Sequence, residues 1–499
     1  MSLPSNNPAI KRGFSPYLAL IPICLGVFVA ADDQTVVVTI LPQIMQDMRV
    51  PISELDTVSW TITAYLLGYV AAMPLIGRLS DVWGHRRLFV LSMLLFMAGS
   101  VATALAPNLS TLIGMRVVQA VGAGALIPIS IAFAGDLFPA GKRGIALGLI
   151  GAAAEAGGVI GPLWGGIVVR YLDWRWVFWM NIPLGAVVIV GILFMLARSP
   201  RHSAKLDYLS GALVAIALSA LTLGLARIGG PDALMGVYLA GSVAALVLLV
   251  LRQRSSSDPL FPHGMFTHIA VKAANSAHLL VGGALIIGMI TVPLMANTVL
   301  GLSPLEGGLR LMRMTAAIPF GAVLGGWTAQ RMDYRIPTVL GLVLIALGFF
   351  FMSTWDVDIS EPSLTIHLAL AGFGFGLLIA PIALAATEPV SEGVRGAAAG
   401  VVTAMRMVGM TFGIAALTAW GSGRFVNLIA GIPLPLQAAG ESAADYQARL
   451  AVYQTQVSDI GVSLFSNFFL IAMVVAAIAI IPALFMAWNH HRQSRESQV

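Results

Sequence analysis

Long apolar runs alternate with short polar segments along most of the chain. A helix needs about 20 apolar residues to cross the roughly 30 Å of hydrocarbon in a bilayer. The pattern therefore predicts an all-α membrane protein with fourteen transmembrane helices. The predicted spans cover residues 17–41, 57–77, 88–106, 109–135, 144–169, 176–197, 208–227, 233–251, 273–298, 308–329, 336–355, 363–386, 397–420 and 461–488.

The distribution of lysine and arginine indicates how these spans are oriented. Because fourteen is an even number, both termini lie on the same side of the membrane. With the N-terminus inside, 18 of the 28 basic residues lie in inner segments, including all four lysines, and 8 lie in outer segments or at the outer ends of spans. The remaining two, Arg116 and Arg406, fall within spans. Since basic residues are retained on the cytoplasmic side, we expect both termini in the cytoplasm.

Composition supports the membrane assignment and excludes several other classes. Hydrophobic residues make up 58% of the chain and charged residues 10%, whereas soluble domains carry about 25% charged residues. The net charge of +5 is not clustered, so nucleic acid is not an expected partner. Cys24 is the one cysteine, which excludes an intrachain disulfide. Lys11 and Arg12 lead into an apolar run too long for a cleaved signal peptide, so we expect the first span to be an uncleaved anchor.

A short loop motif occurs twice. Residues 77–87 join the second and third spans on the cytoplasmic side, with Gly77 and Gly84 permitting a tight turn and Asp81 placed to pair with a cation or cap a helix. A weaker copy covers residues 326–335. The repeat predicts two six-helix halves with the substrate site between them near the bilayer midplane. We predict these halves at 1–200 and 263–499, with two linker spans within 201–262.

The sequence resembles the major facilitator superfamily, and the resemblance covers nearly the whole chain. Residues 77–87 are similar to its signature loop, which includes Gly77, Asp81, Gly84 and Arg86, although His85 stands where an arginine is usual. Four further segments resemble the fourteen-span drug:proton antiporter family. They are Asp33–Pro42, which has Val38 in place of asparagine, Arg116–Gly122, which has Ala120 in place of glycine, Gly157–Gly166 and Trp174–Pro183.

Within that family the sequence resembles the mycobacterial branch of triacylglyceride exporters. The resemblance lies in residues 148–155, 404–410 and 419–421. It implies export of a lipid or glycolipid to the outer leaflet or the periplasm, whereas the wider family implies proton-coupled export of amphipathic small molecules. Both imply a bacterial inner-membrane protein, and a periplasmic lipoprotein is a possible partner of a lipid exporter.

Acidic residues within spans are expensive in lipid unless they are paired or functional. Asp33 and its neighbour Asp32 lie in the first span, and since adjacent helical residues point about 100° apart, at most one readily faces a central cavity. The family motif selects Asp33 as a proton carrier. Glu155 in the fifth span is the second candidate, as a proton site or a gate. The alternative for each acid is a structural ion pair.

Arg116 and Arg406 are the expected partners of these acids, because arginine stays ionised and can latch a carboxylate. We predict that Arg116 pairs with Asp33 and that Arg406 pairs with Glu155 across the two halves. If the second pair opens and closes, it links protonation to alternating access. Gln119, Asn275 and His278, with Asp32, are further candidates for the cavity, although an interior hydrogen bond is the simpler interpretation for Asn275 and His278.

Glycines in the fifth span form a stripe without chemistry of its own. Gly157, Gly161 and Gly165 recur at a spacing of four, which permits close approach of another helix, and Pro162 is expected to bend the span. We interpret the stripe as tight packing that resists leakage through the transporter.

Residues 421–460 form an external connection far longer than a turn requires. Pro433 and Pro435 interrupt it, and residues 441–458 are predicted to form an amphipathic helix. Its apolar face comprises Tyr446, Leu450, Tyr453 and Val457. The segment is either a projection that helps lipid leave the outer leaflet or docks a carrier protein, or a cap with no direct role.

The sequence thus predicts a transporter rather than an enzyme. There is no nucleophile–base pair and no metal-ligand cluster in any span, so neither a catalytic site nor a metal or other cofactor is expected. The chain also lacks a phosphate-binding glycine loop with lysine, so ATP hydrolysis is not the expected energy source. Proton-coupled export of amphipathic compounds and export of lipid remain the two functional hypotheses.

Overall fold

The computed structural model describes residues 9–11, 13–50, 55–198, 207–256, 259–261, 264–429, 435–436 and 442–486. These residues form fifteen α-helices and no β-strand. The helices are α1 (Pro16–Asp47), α2 (Leu55–Trp83), α3 (His85–Ala104), α4 (Leu109–Leu137), α5 (Arg143–Tyr171), α6 (Arg175–Met195), α7 (Tyr208–Leu225), α8 (Ala233–Ser255), α9 (Ile269–Thr298), α10 (Pro304–Ala329), α11 (Arg335–Met352), α12 (Glu361–Leu377), α13 (Ile379–Thr387), α14 (Arg395–Ile429) and α15 (Ala443–Ala483).

The fourteen predicted spans are all present as helices. The twelfth span consists of α12 and α13, which are separated by a break at Leu378. Over the described residues, thirteen segments are long and apolar enough to cross a membrane. The fourteenth, α10, is more polar because its first turns carry Glu306, Arg310 and Arg313, but it packs inside the bundle against α5, α9 and α12.

Local sequence explains where several helices begin. The Ser15 hydroxyl accepts a hydrogen bond from the Leu18 N–H, and Pro16 occupies the first helical position, which tolerates the missing N–H. Ser303 and Glu306 form a reciprocal capping box at the start of α10. Such caps satisfy backbone donors that would otherwise be unpaired at the edge of the hydrocarbon.

The helices form two bundles with a pair of helices at the side. α1 to α6 share one hydrophobic core, and α9 to α15 share a second. α7 and α8 pack on each other, and α7 also contacts α2. Where α7 begins and α8 ends, the Asp207 carboxylate binds the Arg252 guanidinium at 3.0 Å. The predicted boundaries at residues 200 and 262 fall outside the described residues.

The two bundles contact each other mainly through two helix pairs. α5 packs against α10, and α2 packs against α14. Each pair joins one helix of the first half to one helix of the second, as expected of a repeat with a two-fold relation. α4 also contacts α14, and α5 also contacts α13.

Candidate functional site

An enclosed polar cluster surrounds Asp33 inside the first bundle. Arg116 of α4 pairs with the Asp33 carboxylate at 2.6 Å, as predicted from the sequence. The side-chain amides of Gln119 and Asn181 donate to the other carboxylate oxygen at 2.8 and 2.9 Å. Asp33, Arg116 and Gln119 are each 0% exposed. Three side-chain donors therefore satisfy the carboxylate.

Two further side chains complete this cluster. The Ser100 hydroxyl of α3 accepts hydrogen bonds from Gln119 at 2.5 Å and Asn181 at 3.1 Å. The Arg116 guanidinium lies 3.8 Å from the centre of the Tyr65 ring, which adds a cation–π contact. The cluster therefore connects α1, α2, α3, α4 and α6.

Asp33 and its neighbour Asp32 differ in exposure. Asp33 and Gln119 are buried inside the first bundle, whereas the adjacent Asp32 is partly exposed. The reason is the 100° step between neighbouring helical residues, which turns Asp33 toward α4 and Asp32 away from it. Asn181 lies in the Trp174–Pro183 segment that resembles the family, but the sequence analysis did not identify it as a site residue. A polar side chain in an apolar span was the signal that could have identified it.

A second ion pair joins the two halves near the middle of the membrane. The Glu155 carboxylate of α5 binds the Arg406 guanidinium of α14 at 2.7 Å, which is the predicted pairing. Each residue lies about 17 Å along its helix from the N-terminal end, close to half the hydrocarbon thickness. The Glu155 and Arg406 side chains are 15% and 18% exposed. This pair is thus more accessible than the enclosed pair around Asp33.

A small cavity adjoins this pair. His278 of α9 lines it together with Glu155 and Arg406, and the remaining wall is apolar. The His278 Nδ1 atom lies 2.7 Å from the Val402 carbonyl, so it carries the hydrogen and donates, while Nε2 has no partner among the described atoms. Asn275 donates to the Val271 carbonyl of its own helix at 2.8 Å. The expected interior hydrogen bonds of both residues are therefore present, and only His278 adjoins the ion pair.

The signature loop holds the end of α2 against the start of α14. The Asp81 carboxylate accepts hydrogen bonds from the backbone N–H groups of Gly396 at 2.8 Å and Ala397 at 3.0 Å. These groups lie in the first turn of α14, where the helix dipole favours a negative charge. A Cβ atom on Gly77 would collide with the Gly396 backbone. Gly77 and Asp81 thus hold the two halves together at this edge.

His85 occupies the position of the usual arginine in this loop. Its Nδ1 atom lies 2.7 Å from the Asp136 carboxylate, and its Nε2 atom lies 3.5 Å from that of Asp81. The ring therefore connects the two acids. Arg86 turns away from them and donates to the Leu193 carbonyl at 3.0 Å. Gly84 permits the turn, because its φ of 90° lies in a region that favours glycine.

An equivalent closure lies between α5 and α10. The backbones of Gly144 and Gly326 touch, so a Cβ atom on either would collide with the other helix. Beside them, Arg143 lies 3.8 Å from the Glu388 carboxylate, which also accepts a hydrogen bond from the Tyr334 hydroxyl. Burial and the Glu388 charge raise the pKa of Tyr334 well above its usual range, so the hydroxyl remains a donor. Sequence reasoning missed this group because its members are distant along the chain.

The glycine stripe of α5 packs on α1. Cβ atoms at Gly157, Gly161 and Gly165 would collide with atoms of α1, whereas Gly158 and Gly166 have open space. Pro162 lies within α5 among them. The stripe is internal to the first half. Among the described residues, the glycine contacts that join the two halves lie toward the same ends of the spans as the signature loop, so the two halves are closed against each other on that side.

α14 and α15 are longer than a membrane span requires. α15 has 41 residues and α14 has 35, which correspond to lengths of about 60 and 50 Å at 1.5 Å per residue. The predicted amphipathic helix and the last span are one continuous helix from Ala443 to Ala483. Its four predicted apolar positions, Tyr446, Leu450, Tyr453 and Val457, are partly buried, while most of their neighbours are exposed. Pro433 and Glu441 lie outside the described residues.

No group of three metal-ligating side chains occurs among the described residues.

Comparison with known proteins places this geometry in a family. Residues 23–414 match the Major Facilitator Superfamily. A triacylglyceride transporter of Mycolicibacterium hassiacum is 38% identical over 461 residues, which cover 87% of this chain and 85% of that protein. A probable triacylglyceride transporter of Mycobacterium leprae is 36% identical, covering 93% of this chain and 94% of that protein. A triacylglyceride transporter of Mycobacterium tuberculosis is 34% identical, with coverage of 95% of both chains.

Solved structures share the fold at low sequence identity. The human organic anion transporter MFSD10 superposes with a TM-score of 0.62 at 14% identity, covering 92% of this chain and 99% of that one. The proton:xylose symporter XylE gives a TM-score of 0.59 at 13% identity, covering 92% and 94%. The sequence match over most of the chain and the shared two-bundle fold lead to one conclusion: this protein is a membrane transporter of the major facilitator superfamily.

Proposed function

We propose that this transporter exports a neutral, water-insoluble lipid of the triacylglyceride class and that protons drive the transport. Three relatives that match most of the chain are named triacylglyceride transporters. The observation that carries the proposal is the joint extension of α14 and α15 beyond the bilayer. A small amphipathic solute can leave directly into water, whereas a triacylglyceride needs a surface that shields it from water.

The extension has the dimensions for such a surface. A span of about 30 Å uses roughly half of α15, which leaves about 30 Å of helix outside the hydrocarbon. The partly buried face with Tyr446, Leu450, Tyr453 and Val457 gives the extension an apolar side. A periplasmic lipoprotein that accepts lipid would dock on this projection.

Coupling is assigned to the Glu155–Arg406 pair. Protonation of Glu155 removes its charge and releases Arg406, which weakens the central bond between the halves. Because the Glu155 side chain is 15% exposed beside a cavity, protons can reach it while the cytoplasmic side is closed. Reorientation then opens the cytoplasmic closures at Asp81 and Glu388, and loss of the proton to the cytoplasm restores the pair.

Asp33 has a supporting role in this scheme. Its enclosed cluster fixes α1 against α4 and α6. The glycines of α5 pack on α1, and α5 is the helix that bears Glu155. A second proton site at Asp33 requires entry of water into the cluster. The orientation with cytoplasmic termini in a bacterial inner membrane completes the proposal, since it directs the helical extension outward.

Export of amphipathic drugs is the second candidate. Its support is the set of antiporter motifs on α1, α4 and α5. The same ion pair would couple either substrate, so the substrate and the coupling must be tested separately.

The two functions are distinguished in bacteria that lack their own drug pumps and accumulate triacylglyceride. Ethidium efflux and the triacylglyceride content of the inner membrane are measured for wild type, Glu155→Gln and Glu392→Gln. Glu392 is a matched control because its side chain, paired with Arg395, is 79% exposed. Lipid export predicts that wild type and Glu392→Gln lower the triacylglyceride content and that Glu155→Gln does not. Ethidium efflux by well-expressed wild type with unchanged lipid content would instead support the drug antiporter.

A further inference from the structure

A cavity of about 440 Å³ opens at the cytoplasmic end of the first bundle, between the start of α3 and the end of α6. It is separate from the central ion pair and belongs to none of the steps above. Three arginines, Arg86, Arg87 and Arg198, contribute to its lining, and no acidic residue does among the described residues.

Two basic side chains at this cavity donate to the same uncharged acceptor. The Arg86 guanidinium and the Lys11 ammonium both donate to the Leu193 carbonyl, at 3.0 and 2.8 Å. The Arg198 guanidinium lies close enough to Arg86 to repel it. Like charges held together at the edge of a low-dielectric region repel strongly, and an anion between them relieves that repulsion.

The other wall of the cavity is apolar and faces lipid. Leu91 and Leu193 line it and are 40% and 41% exposed. Trp83 lies at its rim, with the Arg87 guanidinium 5.4 Å from the ring centre. Tryptophan with basic side chains is typical of the membrane–water interface, and the cytoplasmic leaflet carries anionic lipids.

We propose that this cavity binds the phosphate of an anionic membrane phospholipid. The planar guanidinium groups of Arg86 and Arg198 donate hydrogen bonds to the phosphate oxygens. Leu91 and Leu193 contact the part of the acyl chain nearest the headgroup. A soluble phosphate would use the same cations but would gain nothing from the exposed leucines. Both walls belong to the first half, which moves as one body, so the site is present in either transport state.

The test uses the full-length protein, purified in detergent and titrated with phosphatidylglycerol or phosphatidylcholine, with bound lipid counted by native mass spectrometry. Wild type is expected to bind phosphatidylglycerol in preference to phosphatidylcholine. Arg86→Gln combined with Arg198→Gln is expected to weaken phosphatidylglycerol binding about thirty-fold, since each basic residue near a membrane surface contributes a factor of roughly five. The corresponding double lysine variant keeps the charge but loses the bidentate geometry, so its binding is expected to lie between that of wild type and that of the double glutamine variant.

Arg331→Gln is the matched control. Arg331 also lies over an interfacial tryptophan, Trp327, at 3.9 Å, but in the second half and away from this cavity. Equal binding of the two lipids by wild type, or equal loss in Arg331→Gln and the double glutamine variant, would overturn the proposal. Inorganic phosphate at about 10 mM should not displace the lipid. Complete displacement would instead identify a site for a soluble anion.

Discussion

The enclosed cluster around Asp33 makes a specific prediction for stability. Asp33→Asn removes the negative charge and places an amide donor beside Arg116, while both positions remain 0% exposed. Removal of one partner from a buried ion pair costs about 3–5 kcal/mol, because the other charge is left uncompensated. Arg116→Met leaves Asp33 with the amides of Gln119 and Asn181 alone, and we expect a loss of similar size.

The double variant Asp33→Asn, Arg116→Met should be more stable than either single variant. It contains no buried charge at this position, and the new asparagine oxygen can still accept from Gln119 or Asn181. The two losses should therefore be non-additive, with a coupling free energy of about 2–3 kcal/mol.

Cys24 provides the assay for this comparison. It is the one cysteine in the chain and lies partly buried in α1, two and a half turns before Asp33. Thermal unfolding of the purified protein exposes it to a thiol-reactive fluorophore, which gives a midpoint for each variant without an added label. Val38→Leu, a change at an exposed apolar position on the same helix, is the control and should unfold as wild type does. Additive losses in the double variant would refute the reasoning, as would an unchanged midpoint in Asp33→Asn.

Three further predictions concern other parts of the molecule. Gly77→Leu should open the closure between α2 and α14, because the new side chain collides with the Gly396 backbone. A cysteine introduced on the same side of the protein as this closure should then react faster than it does in the wild-type background. Equal reactivity would contradict the closure. Ala451→Pro should break α15 outside the bilayer and abolish lipid export without loss of expression. The control variant Ala451→Ser should retain export. Lipid export by the proline variant would show that the extension has no part in the mechanism. Although burial opposes the shift, hydrogen bonds from Ser210 and the charge of Arg252 lower the pKa of Asp207 below its usual range. The stabilisation from Asp207 is therefore complete above the unfolded-state pKa of about 4, and it is lost as the pH falls through the lower folded-state pKa. Because pH 7 and pH 5.5 both lie above this range, Asp207→Asn should lower the unfolding midpoint equally at the two pH values. A deficit present at pH 7 and absent at pH 5.5 would contradict that pKa direction.

The positions of the spans could be predicted because length and hydropathy determine them directly. A charge within a span must find a partner, so the rarity of such charges also led to the pairs Asp33–Arg116 and Glu155–Arg406. The orientation of a side chain about its helix is less evident from sequence. Asp33, the acid selected as a proton carrier, lies enclosed because α4 and α6 supply donors to its carboxylate within the first bundle.

Contacts between distant segments could not be predicted. Tyr334, Glu388 and Arg143 come from three separate parts of the chain, and none of them lies in an apolar context that would mark it as unusual. The continuity of α15 across the membrane boundary was also missed in part, because the change from amphipathic to apolar sequence near residue 460 resembles a boundary between two elements. A helix continues through such a change when nothing in the backbone interrupts it.

The central claim is that protonation of Glu155 drives lipid export, and proteoliposomes test it most directly. The purified transporter is reconstituted with a fluorescent triacylglyceride, and transfer of the label to an external lipid-binding protein is measured after the outside is made acidic. For wild type we expect transfer that requires the pH gradient and stops with a protonophore, and for Glu155→Gln we expect transfer at the rate of empty liposomes. Transfer by Glu155→Gln that responds to the gradient as wild type does would contradict the account.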